Sequence, residues 1–178
     1  MKRLRLLLLD ANVVIKLQEQ RLWDKVAELC DVHLARTVLD EAHFYEDEHG
    51  VRQDFDLAPY EGDGRIKVFD VAASQLQALR GSFDPSYAER LDPGELESLA
   101  LLLSSGETFV ICSADSIVFK TLGNTGRGEQ GISLEEVLST IGMGRKLPSQ
   151  FSKKFRERWT AEGSKDQMYG IGKKPEPS

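Results

Sequence analysis

Short apolar runs and stretches of helical spacing alternate along the chain. The apolar runs are typical of strands buried on both faces of a parallel sheet, and apolar residues three or four positions apart indicate helices between them. Strand and helix alternate five times, so the pattern predicts a three-layer α/β/α domain with a central parallel sheet of about five strands. The predicted strands are 4–9, 31–36, 65–71, 108–113 and a fragment near Ile132.

The helix with the clearest end signals is "LDPGELESLALLLSSG". Asp92 is a candidate cap, a proline takes the first helical position, and Gly106 lies beyond the end. Thr37 is the candidate cap of "VLDEAHFYEDEHG", which is expected to end near Gly50. Residues 50–64 are expected to form a loop or a small insertion.

The C-terminal part of the chain differs from the rest in charge and pattern. The net charge is −6, yet residues 145–178 carry nine basic and four acidic residues. We therefore divide the chain into a domain, 1–146, and a basic tail, 147–178. In the tail, "PSQFSKKFRERW" predicts a basic amphipathic helix, and residues 163–178 are expected to be mobile. The charge predicts contact with nucleic acid or an acidic partner.

Composition is that of a globular protein, with 40% hydrophobic and 29% charged residues. No stretch approaches the ~20 apolar residues of a membrane span, and the leading leucine run is too short for a signal peptide. Cys30 and Cys112 lie in apolar surroundings without metal-ligand spacing, which predicts buried thiols. We expect a cytoplasmic protein.

Four acidic residues come from four separated segments that parallel-sheet topology brings to one edge. Asp10 ends the first strand in "LLLLDANVVI", and Asp115 follows the strand in "TFVICSADSIVFK". Glu41 lies in the helix after the second strand, and Glu95 lies in the first turn of the "LDPGELES" helix. Ligands bind outside the carboxyl ends of parallel strands, so the four carboxylates are expected to converge there.

Each acid also has a structural explanation that involves neither catalysis nor metal binding. Helix capping or helix-end charge accounts for Asp10, Asp115 and Glu95, the last through a capping box with Asp92. Glu41 is explained as a solvated helix residue. Glu97 has two explanations, an acid that supports the metal ligands or a residue that faces solvent, and the second is favoured. These explanations stay open, but they do not account for four acids at one edge.

Converging carboxylates repel one another unless a cation joins them. Mg²⁺ and Mn²⁺ take oxygen ligands and bind through a few carboxylates together with substrate phosphate. The expected chemistry is metal-assisted hydrolysis of a phosphodiester.

The ordered set of acids resembles the PIN-domain nucleases. That family has an apolar strand ending in Asp, an acid in the second helix, an acid opening a mid-chain helix, and an Asp after the next strand. Here these segments are "LLLLDANVVI", "TVLDEAHF", "DPGELESLALLLSSG" and "TFVICSADSIVFK". Gly94-Glu95, Ser113-x-Asp115 and Asn12 also match common family positions. The resemblance covers about residues 4–142.

The resemblance implies a metal-dependent endoribonuclease, often the toxin of a toxin–antitoxin pair. Asp10, Glu41, Glu95 and Asp115 would be catalytic, and all but Glu41 would hold Mg²⁺ or Mn²⁺. Asn12 and Ser113 would support the ligands or contact substrate. The implied partners are single-stranded RNA, an antitoxin protein and a second copy of the chain in a homodimer.

Two other functions are open. A PIN fold without activity would serve as an RNA-binding module or scaffold, although a scaffold has no need of all four acids. The first motif also resembles the haloacid-dehalogenase phosphatases, in which a second Asp follows the nucleophile by two positions. Asn12 takes that position here.

Overall fold

The computed structural model describes residues 4–176, with five parallel strands at the centre. A separate antiparallel hairpin is formed by β3 and β4. The strands are β1 (Leu4–Leu9), β2 (Cys30–Ala35), β3 (Phe44–Glu46), β4 (Arg52–Asp54), β5 (Ile66–Phe69), β6 (Val110–Cys112) and β7 (Gly131–Ile132).

Helices cover both faces of the central sheet. Among the described residues, none of them is long and apolar enough to cross a membrane. They are α1 (Ala11–Glu19), α2 (Trp23–Leu29), α3 (Arg36–Glu41), α4 (Ala58–Gly62), α5 (Ala73–Gly81), α6 (Pro85–Ala88), α7 (Pro93–Ser104), α8 (Ser116–Asn124), α9 (Leu134–Thr140) and α10 (Lys153–Met168).

The central strand β1 is buried on both faces. Leu7 and Leu9 pack into a core with α1, α2 and α9, whereas Leu8 points to a second core beneath α7 and α8. Successive side chains of a strand point to opposite faces, so one apolar run supplies both cores. The predicted α/β/α class with a five-stranded parallel sheet is confirmed.

The strand order β5-β2-β1-β6-β7 places a topological switch point between β1 and β6. The chain first builds outward from β1 through β2 to β5, then returns to the other side of β1 as β6. Connections therefore leave the two neighbouring strands in opposite directions. In open α/β sheets such a crevice, at the carboxyl ends of the strands, is where ligands bind.

The segment after β2 departs from its prediction. The helix α3 ends at Glu41 rather than near Gly50, and the chain continues into the hairpin and the short helix α4. The aromatic pair Phe44 and Tyr45 favours a strand. Thr37 is not the cap either, because it is the second residue of a helix whose N-cap is Ala35.

The basic tail forms the predicted helix, α10, and packs closely on α8. Phe155 and Trp159 contact the core beneath α8, and Gly163 is buried at the crossing of the two helices. In the segment expected to be mobile, residues 163–178, α10 extends to Met168 and backbone hydrogen bonds join 172–174 to 82–84. Its mobility stays a prediction. Residues 177–178 lie outside the described residues, and the boundary at residue 146 stays a prediction.

Substituting Gly163→Ala should lower the free energy of unfolding. A Cβ at this position would overlap the carbonyl oxygen of Lys120 on α8, so the helices must separate. Overpacking of this kind costs ~1–3 kcal/mol. Urea denaturation measures the change. Gly81→Ala is the matched control at a helical glycine with open space around it, and equal stability of both variants would contradict close packing of α8 and α10.

Candidate metal centre

Three helices begin at the carboxyl edge of the sheet, and each is capped by an aspartate. Asp10 follows β1, and its carboxylate accepts a hydrogen bond from the Ala11 N–H at 2.7 Å at the start of α1. Asp115 follows β6 and caps α8. Asp92 caps α7. The positive, N-terminal ends of three helix dipoles are therefore each paired with the negative charge of a capping aspartate.

Asp10, Asp92 and Glu95 form one group. One carboxylate oxygen from each lies within 4.8 Å of the others, a geometry that could hold a metal ion. The side chains of Asp10 and Glu95 are buried, at 3% and 2% exposure, while Asp92 is exposed. The group is thus anchored in the protein and open to solvent on one side.

Ser113 connects this group to Asp115. Its hydroxyl donates a hydrogen bond to Oδ2 of Asp10 at 2.9 Å and accepts one from the backbone N–H of Asp115 at 3.0 Å. The charge of Asp115 also raises the pKa of Asp10 and of Glu95, which places it within electrostatic reach of both. Of the four predicted acids, Asp10 and Glu95 are members of the group, whereas Asp115 lies outside it and is connected to Asp10 through Ser113.

Capping and clustering occur in the same residues. Oε2 of Glu95 accepts the Asp92 N–H at 3.1 Å, and Oδ1 of Asp92 accepts the Glu95 N–H at 2.8 Å. Oδ1 of Asp115 accepts the Ile117 N–H at 3.1 Å. In each of these three residues one oxygen serves a cap, and the other has no hydrogen bond within residues 4–176. Oε1 of Glu95 is the buried one of these oxygens without a hydrogen bond.

The pKa values of the two buried acids are raised. Burial raises the pKa of Asp10 to about 7, against the lowering effect of the hydrogen bond from Ser113. Burial, and next the charge of Asp10, raise the pKa of Glu95 to about 9. Both shifts express the cost of holding negative charge close together in a poorly solvated place. A bound divalent cation would remove that cost.

The remaining predicted residues lie outside the group. Glu41 is exposed at the last residue of α3. Asn12 is exposed in the first turn of α1 and lines a groove of about 310 Å³ together with Ala114 and Gln150. None of the site acids lines this groove. The catalytic role predicted for Glu41 stays a prediction.

Sequence reasoning gave Asp92 no role beyond its cap. A signal was present, since a capping box brings the side chains of the cap and of the third helical residue together. Of the two alternatives for Glu97, the favoured one, exposure to solvent, is wrong. It is buried, and its carboxylate accepts hydrogen bonds from the backbone N–H and the hydroxyl of Thr37, at 3.4 and 2.5 Å. Glu97 thereby ties α3 to α7.

No protein-family model, no curated protein and no solved structure matches the chain. The PIN-domain relationship therefore stays a resemblance that rests on the motifs. Function is therefore inferred from the geometry of the site.

Proposed function

We propose that this protein is a metal-dependent endoribonuclease with a PIN-like active site. The metal would be Mg²⁺ or Mn²⁺, held by Asp10 and Glu95 with Asp92 or Asp115 completing the set. The substrate would be single-stranded RNA. A role as the toxin of a toxin–antitoxin pair, a cytoplasmic location and a homodimeric state belong to the same proposal.

One observation carries the proposal. Oε1 of Glu95 is buried without a hydrogen-bond partner in the part of the chain that the structure describes, beside two further carboxylates. Leaving a buried acceptor unsatisfied costs ~1–3 kcal/mol, and more when it is charged. A fold that used these acids only as caps would gain nothing from that arrangement. A cation supplies the missing partner.

The donor set favours a hard cation. The three grouped residues offer carboxylate oxygens, and neither buried cysteine belongs to the group. Oxygen ligands suit Mg²⁺ and Mn²⁺, whereas zinc prefers sites with histidine or cysteine. Such an ion would supply a water of lowered pKa and offset the charge that develops on the phosphoryl oxygens.

The protein's own residues fix the ligands in place. Ser113 holds one oxygen of Asp10, and the Ala11 N–H holds the other, so this carboxylate cannot rotate. In the capping box, the Asp92 N–H donates to Oε2 of Glu95, which fixes the orientation of this second carboxylate. Ligands that are already oriented lose little conformational entropy when an ion binds. The exposed Asp92 leaves one side of the site accessible to a strand of RNA.

Cleavage of end-labelled single-stranded RNA, with Mn²⁺ and with EDTA, tests the proposal. The wild type should produce discrete internal cuts with Mn²⁺ and none with EDTA. Asp115→Asn should reduce cleavage strongly. Asp84→Asn is the matched control, because Asp84 also caps a helix but lies outside the group.

The other functions predict different results. An RNA-binding scaffold would retain the labelled RNA on a filter without cutting it in either condition. A phosphatase would release phosphate from a simple phosphomonoester and leave the internal bonds of RNA intact. Either result would contradict the nuclease proposal. An identical assay with single-stranded DNA measures the preference for RNA.

A further inference from the structure

Arg90 is a basic residue whose side chain contacts the start of α8, the helix that Asp115 caps. It lies in the segment between α6 and α7, two residues before Asp92. Its Nη2 donates a hydrogen bond at 2.8 Å to the hydroxyl of Ser116, the first residue of α8, which directly follows Asp115. Arg90 thus connects the starts of the two helices whose caps are site carboxylates.

The backbone around Arg90 is held in place by a second arginine. The guanidinium of Arg80 donates to the carbonyl oxygens of Ala88 and Leu91, at 2.8 and 3.2 Å. These residues flank Arg90 on both sides, and the Arg90 N–H donates to the carbonyl oxygen of Tyr87 at 3.1 Å. The segment is therefore fixed, and the Arg90 side chain starts from a rigid base.

The charge of Arg90 is not neutralised by a carboxylate. Within residues 4–176, no Asp or Glu oxygen lies within 4.0 Å of its guanidinium nitrogens, and the side chain is exposed. Arg36 and Arg156, by contrast, each donate two hydrogen bonds to one glutamate. Of the five N–H donors of its guanidinium, Arg90 uses one, in the hydrogen bond to Ser116, so donors remain for a ligand.

The charge balance of the site favours a positive group near it. The three ionised carboxylates of the group, that of Asp115 and one divalent cation would together carry a net charge of −2, which repels the phosphates of RNA. A guanidinium offers a planar pair of donors that matches two phosphate oxygens. We propose that Arg90 binds a backbone phosphate of the RNA strand whose bond is cleaved at the carboxylate group. This inference rests on the proposed nuclease function.

Cleavage kinetics of Arg90→Ala and Arg90→Lys test the inference. Loss of a charge-assisted hydrogen bond should lower kcat/KM of Arg90→Ala by about 10- to 100-fold. Arg90→Lys should recover part of the loss, because a lysine keeps the charge without the planar fork. The slope of log(kcat/KM) against log[KCl] should become shallower by about 0.7, as expected for one phosphate contact fewer. Arg52→Ala, which removes an exposed arginine from β4, should leave kcat/KM and the slope unchanged.

Melting curves separate this role from a structural one. The Mn²⁺-induced rise in Tm should be the same in Arg90→Ala as in the wild type, because Arg90 does not hold the metal. If Arg90→Ala cleaves RNA with wild-type kcat/KM, or if its salt slope is unchanged, the inference is wrong while the nuclease function stands. If its metal-free Tm falls and Arg90→Lys does not recover activity, Arg90 is structural. If the wild type neither cleaves RNA nor responds to Mn²⁺, the proposed function fails and this inference with it.

Discussion

In EDTA at pH 8, Asp10→Asn should melt above the wild type, and Mn²⁺ should reverse that order. The substitution removes a buried negative charge and keeps the cap, because asparagine caps helices as well as aspartate. The pKa of Asp10 is about 7, against 3.8 without burial. With about 1.4 kcal/mol for each pKa unit, and with part of the gain lost to the buried amide, we expect a rise of roughly 1–3 kcal/mol. That corresponds to about 2–4 °C in Tm for each kcal/mol in a chain of this size.

With Mn²⁺ at ~100 times its dissociation constant, the wild type should gain about 2.7 kcal/mol by mass action. Asp10→Asn should gain little, since a neutral amide is a poor ligand for a hard cation. RNA cleavage by the variant should fall below detection. Differential scanning calorimetry of both proteins, with EDTA and with Mn²⁺, provides the four melting temperatures.

Asp84→Asn is the control for this comparison. Asp84 caps α6, and the hydrogen bond from the Ser86 hydroxyl is the main cause that holds its pKa below the usual value. Its ionised form is therefore favoured in the folded protein, and the variant should melt at or below the wild type. It should keep the full response to Mn²⁺. If Asp10→Asn also melts below the wild type in EDTA, and Mn²⁺ shifts neither curve, the carboxylates are caps alone.

The sheet and the positions of three acids could be predicted because each depends on local sequence. An apolar run such as that of β1 specifies a strand buried on both faces, and Asp10 and Asp115 follow from the ends of β1 and β6. Glu95 follows from the capping signals of α7. These inferences require only the rule that parallel strands present their carboxyl ends at one edge.

The remaining features depend on contacts between distant segments. Whether Glu41 turns toward the site depends on where α3 ends. The hairpin that follows α3 depends on tertiary contacts. Glu97 is buried where α7 meets α3 and Thr37 donates to its carboxylate, a contact that no helical period of α7 reveals. Asp92 was overlooked for another reason: its role as a cap explained the residue fully, so nothing in the sequence called for a second role.

The metal-free protein should lose stability as the pH rises from 6.5 to 8.5. The folded state keeps protons on Asp10 and Glu95 up to pH values of about 7 and about 9, whereas the unfolded chain releases them near pH 4. A state that binds more protons is favoured at lower pH, so the free energy of unfolding falls as the pH increases toward the folded pKa values. We expect a fall of roughly 1–2 kcal/mol for each pH unit in this range.

Other groups limit the useful range. Burial lowers the pKa of His33, which makes stability rise with pH below about 6.5, so measurements start at that value. Burial raises the pKa of the Cys112 thiol, which adds a fall in stability where free thiols ionise, near pH 8.5. The double variant Asp10→Asn/Glu95→Gln retains His33 and Cys112, so subtracting its pH profile from that of the wild type isolates the two carboxyls.

Metal binding should abolish this pH dependence and release protons. An ion held by Asp10 and Glu95 requires both in the ionised form, so Mn²⁺ added at pH 7 to the protein in weak buffer should release between one and two protons per ion. A pH indicator dye measures the release, and urea denaturation at pH 6.5, 7.5 and 8.5 measures stability. With saturating Mn²⁺ the pH profile of the wild type should match that of the double variant, because the folded state has already lost the extra protons of the two carboxyls. The opposite outcome is a wild-type profile in EDTA as flat as that of the double variant, with no proton release on adding Mn²⁺. It would mean that the two carboxyls ionise as freely in the folded protein as in the unfolded chain. The electrostatic argument for a metal site would then be lost.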